Sequence, residues 1–191
     1  MLKSKPKLFI DFDSTIVNSV KAYCTVYNKL YRHFPNFVPA DWTESYAWDL
    51  KDVAPLVDDV NFIFGHSEFF DCCEFYDDDT YKVLKELSEY YEIIVASIGI
   101  PNNLAYKAWW LEINLPFVKE YVLLCNKGCK MNKSVINMQD AIFIDDVVSN
   151  LESSNAKMKI CFGVERDWNK GWSDYWCKSW SEVRDLLIVG G

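Results

Sequence analysis

The chain has 191 residues, half of them apolar or aromatic and a quarter charged, which is enough for the core of one domain with a modest insertion and excludes wholesale disorder. Twenty basic against twenty-eight acidic side chains leave a formal net charge of −8, which repels polyphosphate backbones and argues against a partner as long as a nucleic acid. A small anionic substrate remains compatible with that charge if a metal ion or a few local cations offset it.

The basic start, residues 1–7, is followed only by Leu8-Phe9-Ile10 before Asp11, too short for the apolar stretch of a signal peptide. No apolar run approaches the roughly 18 residues needed to cross a bilayer. Seven cysteines at irregular spacings, with Cys72 and Cys73 adjacent, do not make the disulfide framework of a secreted domain. A soluble, cytoplasmic chain with reduced thiols and no membrane partner is expected.

In chain order, Lys7-Leu8-Phe9-Ile10-Asp11 is a short apolar run that suits a strand buried on both faces. Val20, Tyr23, Cys24, Tyr27, Leu30 and Tyr31 recur at helical steps and predict a helix over about 18–32. The segment from there to residue 79 is rich in Tyr, Phe and Trp, holds no convincing strand pair, and reads as a helical insertion after the first strand. Asp77-Asp78-Asp79 suits a helix N-terminus, and Val83, Leu84 and Leu87 continue that helix over 80–90. A second apolar run ends in Ser97, and a helix follows over about 103–113. A weaker strand candidate spans 121–125. The third strong run, Ala141-Ile142-Phe143-Ile144, ends in Asp145-Asp146, with a helix over about 149–156 and a weaker strand over 159–162. Ser179-Trp180-Ser181-Glu182 is a capping box opening the last helix. Strands alternating with helices predict an α/β fold with a parallel sheet and right-handed crossovers.

In such sheets ligands bind beyond the carboxyl ends of the strands. Three strands end in functional groups: Asp11 with Asp13, then Ser97, then Asp145 with Asp146. Carboxylates gathered in one crevice repel, and a proton or a hard cation with oxygen ligands offsets that repulsion. Lys107 and Lys133 are placed to return to the same crevice, where ammonium groups suit phosphate. The ordered set Asp11-Phe12-Asp13-Ser14-Thr15, Ser97 and Asp145-Asp146 resembles the first, second and fourth motifs of the haloacid dehalogenase (HAD)-like phosphohydrolases over nearly the whole chain. Lys107-Ala108-Trp109-Trp110, Lys133 and Ser179-Trp180 make it most similar to the 5′(3′)-deoxyribonucleotidases.

The resemblance implies a Rossmann-like three-layer core over residues 1–17 and 80–191 and a small helical cap over 18–79. It implies Asp11 as nucleophile and Asp13 as general acid and base. Mg²⁺ would be held by Asp11, the Asp13 carbonyl and Asp145, with Asp146 completing or orienting that shell, and Ser97, Lys107 and Lys133 would contact phosphate. Lys107 leads as the phosphate lysine, ahead of Lys133, with Lys127 and Lys130 weaker. The implied substrate is a small phosphomonoester, a nucleoside monophosphate, and Tyr46 and Trp48 are candidate cap aromatics for its base. Two alternatives stand beside it: a phosphatase for a sugar phosphate or a nucleic-acid 3′ phosphate, and a non-catalytic phosphate-binding module.

One departure is Ser14, where these enzymes usually carry Gly; serine tolerates an extended backbone but adds bulk where the chain turns close to phosphate. A calcium loop starting at Asp11 is rejected because Ile16 and Ala22 stand where Gly and Glu are needed. His33 and His66 lack partners at zinc-ligand spacing, as do Cys72-Cys73 and Cys125 with Cys129. Trp168, Trp172, Trp176 and Trp180 recur every four residues, but Asn169-Lys170-Gly171 argues for a loop whose tryptophans pack on the core.

Overall fold

A computed structural model describes residues 5–127 and 131–190; the expectations for Cys129, Lys130 and the first four residues lie outside it. Strand β1 (Lys7–Ile10) is central, flanked in parallel by β2 (Glu92–Gly99) and β4 (Ile142–Asp145). The full order is β3-β2-β1-β4-β5-β6, all parallel, with β3 at Glu120–Cys125, β5 at Met158–Phe162 and β6 at Tyr175–Cys177. Leu8, Phe9 and Ile10 are buried, as befits a strand packed on both faces. Their side chains divide between two apolar clusters, Leu8 and Ile10 in one and Phe9 in the other.

The helices are α1 (Ser19–Tyr31), α2 (Asn61–Phe64), α3 (Ser67–Asp71), α4 (Thr80–Tyr90), α5 (Pro101–Asn114), α6 (Val148–Ser153) and α7 (Trp180–Arg184), the last continuing as a π-helical turn, Asp185–Val189. Asn18 caps α1 by accepting from the Lys21 N–H at 3.1 Å. Pro101 opens α5, where its missing N–H costs nothing. The aspartate triplet does start α4: Asp77 Oδ1 accepts from the Asp79 N–H and the Thr80 hydroxyl. Its other oxygen accepts from the Trp180 N–H at 2.9 Å and so joins the start of α4 to the start of α7.

Between β1 and α4 the inserted segment carries α1, α2, α3 and a 3-10 turn, Trp42–Glu44. It shares one continuous apolar cluster with the sheet: Tyr23, Tyr27, Ile63 and Phe69 join Leu8, Ile10 and Val95. Phe12, between the two aspartates, is fully buried against Trp110 of α5, with ring centroids 5.3 Å apart. An aromatic anchor at that position fixes the backbone from which Asp11 and Asp13 project.

Two elements differ from expectation. Strand β6 was not foreseen, because its three residues sit inside the evenly spaced tryptophans. Helix α6 ends at Ser153, three residues before the predicted end. Trp168 and Trp172 lie in a loop, with Gly171 in the left-handed region at φ +85°, whereas Trp176 belongs to β6 and Trp180 to α7. His33 is exposed, and His66 caps α3 by accepting from the Glu68 N–H.

Candidate active site

The register of the sheet assembles the site. Ile10 pairs with Val95 on one side and Ile144 on the other, so Asp11, Ala96 and Asp145 stand level at the carboxyl ends of adjacent strands. The Asp11 N–H still donates to the Ile144 carbonyl at 2.9 Å, which ends the strand pairing at the acid. Asp11, Asp145 and Asp146 are all buried and each offers an oxygen within 4.8 Å of the others.

Lys133, on a short 3-10 turn (Lys133–Val135), is 1% exposed and donates to both Asp11 Oδ1 and Asp145 Oδ2 at 2.5 Å. Lys107 is fully buried in α5 and donates to Asp13 Oδ2, to Ser97 Oγ at 2.9 Å and to the Ile98 carbonyl at 3.2 Å. Each ammonium also lies over an aromatic face, Lys107 at 5.4 Å from Phe12 and Lys133 at 5.3 Å from Phe143. Asp145 is tied further by the Val147 N–H at 2.8 Å and by the Asn150 amide at 3.2 Å to both oxygens. Asp146 Oδ2 accepts from the Trp168 indole at 2.7 Å.

Four carboxylates against two ammonium groups leave an excess of negative charge, and burial, more than that excess, raises the cost of keeping the acids ionised. Burial pushes Asp145 up to about 6 against the pull of Lys133. Burial, then the neighbouring Asp145 and Asp11, hold Asp146 well above the usual carboxylate range. Burial also raises Asp13, opposed by Lys107 and reinforced by Asp11. For Lys133 burial works toward neutrality, but Asp11 and Asp145 outweigh it and hold the ammonium charged. A divalent cation fits this donor set: it would replace the protons that such crowded oxygens otherwise retain. Among the described residues, Asp146 Oδ1 accepts no hydrogen bond and so is free for the cation, and Asp11 Oδ2 is left without a protein partner beside it.

A cavity of about 440 Å³ opens over these groups, within the range of small-molecule sites. Its walls include Asp11, Asp13, Ser97, Lys133 and Asp146 from the sheet side. Trp48, Leu50, Asn61 and Phe64 of the inserted segment face them. Two expected residues are displaced. Tyr46 is not on the wall: it is 60% exposed, and its backbone is engaged by Asp52 and Asp167. Lys107 is not on the wall either, and its three N–H bonds are all spent on protein acceptors. Lys133 lines the cavity with two of its three donors used, which leaves one N–H for a group in the cavity.

The sequence pattern of the family described as "5′ nucleotidase, deoxy (Pyrimidine), cytosolic type C protein" matches residues 5–190. The chain belongs to this nucleotidase family. It is a phosphoric monoester hydrolase with a HAD-type fold. Solved structures of similar fold include a predicted phosphatase from Clostridium acetobutylicum (17% identity, TM-score 0.67, covering 98% of this chain and 100% of that one). A HAD family hydrolase from Deinococcus radiodurans with bound phosphate and sodium is similar at 12% identity and TM-score 0.63, over 98% of this chain and 96% of that one. YfnB of Bacillus subtilis, described as a HAD-hydrolase bound to magnesium, is similar at 10% identity and TM-score 0.54, over 97% and 100%. At these identities the likeness is one of fold. No curated protein sequence matches significantly.

Several residues of this nucleotidase site were not foreseen. Asn150 and Trp168 hold Asp145 and Asp146, and buried Asn103 lines the cavity while donating to the Phe64 carbonyl. Asn150 carried a faint signal, lying in the first turn of a helix that starts beside Asp145-Asp146. Trp168 carried none beyond its spacing from other tryptophans.

Proposed function

We propose that the chain is a magnesium-dependent nucleotidase that hydrolyses nucleoside monophosphates through an aspartyl-phosphate on Asp11. The observation that carries this reading is Asp11 itself: one oxygen is pinned by Lys133, the other is free, and the residue lines a cavity of substrate size. The nucleotide part rests on family membership and on the aromatic walls, Trp48, Phe64 and Trp168. In this reading residues 18–79 act as the cap, residues 1–17 and 80–191 as the core, and the protein works in the cytoplasm, as the family's description implies.

In the first half of the reaction the free oxygen of Asp11 attacks phosphorus while Asp13, protonated, gives its proton to the departing ester oxygen. Its raised pKa suits that role, and Lys107 fixes the carboxyl group in place. In the second half Asp13 takes a proton from water, which attacks the aspartyl-phosphate and frees Asp11 and inorganic phosphate. Ser97 accepts from Lys107, so its own O–H is left to donate to a phosphoryl oxygen. The third N–H of Lys133 does the same. A magnesium ion held by Asp11, Asp145, Asp146 and the Asp13 carbonyl would supply positive charge to the phosphoryl oxygens.

The test is a panel of nucleoside monophosphates and sugar phosphates, assayed with Mg²⁺ and with chelator. Nucleotides should be cleaved in preference, and only with Mg²⁺; equal, weak turnover of all esters would sink the nucleotidase reading and favour a general phosphatase. Beryllium fluoride, an acyl-phosphate mimic, should bind the native chain and not Asp11→Asn.

A further inference from the structure

Asp146 is held by a residue far from it in sequence. Trp168 lies in the loop between β5 and β6, and its indole N–H donates to Asp146 Oδ2 at 2.7 Å. The indole is itself fixed from several directions. The Trp168 carbonyl accepts from the Val148 N–H at 3.1 Å, which ties the loop to the first residue of α6. The guanidinium of Arg166, buried, stands 5.5 Å over the ring and donates to the Ser45 and Trp42 carbonyls of the inserted segment. Trp48 of the same segment packs edge-on, with centroids 5.8 Å apart and planes at 78°. Asn169, 1% exposed, closes the loop by donating to the Val164 carbonyl and accepting from the Arg166 N–H.

We propose that Trp168 is a positioning residue that fixes the Asp146 carboxylate, leaving Oδ1 presented to the cation. This rests on the magnesium reading above. A carboxylate free to rotate loses that freedom on binding a metal, whereas one already pinned through its other oxygen does not. The loop and the inserted segment hold the indole so that it can do the pinning. Hydrogen-bond partners of metal ligands commonly change affinity 10–100-fold when removed.

Calorimetric titration of Mg²⁺ into the full chain tests this without reference to turnover. Trp168→Phe keeps a ring between Arg166 and Trp48 and deletes the N–H; its Kd for Mg²⁺ should rise about 10–100-fold. Trp168→His, whose ring retains an N–H, should recover part of the lost affinity and is the second reading if the Phe variant does not fold. In an Asp146→Asn background, Trp168→Phe should weaken binding no further. Native affinity in Trp168→Phe, or equal weakening with and without the Asp146 carboxylate, overturns the positioning role while the nucleotidase reading stands. No Mg²⁺ binding by the native chain overturns both.

Discussion

Under the proposed aspartyl-phosphate mechanism, replacing Asp13 by Asn separates the two half-reactions. With p-nitrophenyl phosphate the leaving group departs without a proton, so Asp11 is still phosphorylated, but water then lacks its base. A burst of about one nitrophenolate per chain followed by a slow phase is expected, with steady turnover down about 10²–10⁴-fold. Absence of the burst with the same overall loss would place Asp13 in the first step alone or in folding. The neighbouring Ser14, where glycine is usual, sits at φ +52°, in the left-handed region that disfavours side chains. Its hydroxyl meets Ser19 Oγ at 3.0 Å, which offsets part of the strain. Ser14→Val, β-branched and without that partner, should lower the unfolding free energy by about 1–3 kcal/mol in urea denaturation. The acids were legible as residues because each ends an apolar run. Which lysine meets which acid was not, since it depends on how α5 and the 133–135 turn lie against the strands.

At the scale of elements, local signals reported well wherever a cap or a periodic face was present. Asn18 before α1 and Ser179 before α7 both accept the N–H bonds their positions predict. The capping box at Ser179 is shifted by one residue on its return arm: Glu182 accepts from the Lys178 N–H rather than from that of Ser179. Strand β6 was hidden because three residues give no period of their own and its pairing with β5 is a tertiary matter. The link between α4 and α7 was equally invisible, and it makes a prediction. Asp77→Ala removes an acceptor for both helix starts and leaves the Trp180 N–H, at the head of a buried indole, without its partner. Stability should fall by about 1–3 kcal/mol, while Asp78→Ala, an exposed neighbour with no such bonds, should be neutral. Equal effects from the two would show that general negative charge near the helix, not the Asp77 bridge, stabilises this corner.

For the molecule as a whole, the parallel sheet concentrates charge at one end, which makes stability depend on pH and, under the proposed magnesium binding, on metal as well. Asp145 releases its proton near 6 in the folded chain against an ordinary value of 3.8, and Asp146 and Asp13 shift in the same direction. The folded state therefore binds more protons than the unfolded one across this window, and stability falls as pH rises through it. Surface carboxylates held low by partners, Asp41, Glu68 and Glu86, slope the other way, but chiefly below pH 5, and add little across this window. At about 1.4 kcal/mol per unit, Asp145 alone costs on the order of 1.4 kcal/mol between pH 5 and 7.5. The metal-free chain should accordingly unfold at lower denaturant concentration at pH 7.5 than at pH 5. Mg²⁺ needs the same oxygens ionised, so its stabilisation should be larger at pH 7.5, reaching about 2.7 kcal/mol at a hundredfold excess over Kd. Metal-free stability that is flat or rising between pH 5 and 7.5 would mean that the acids meet outside water's reach less closely than the sheet register and the Lys133 bridge require.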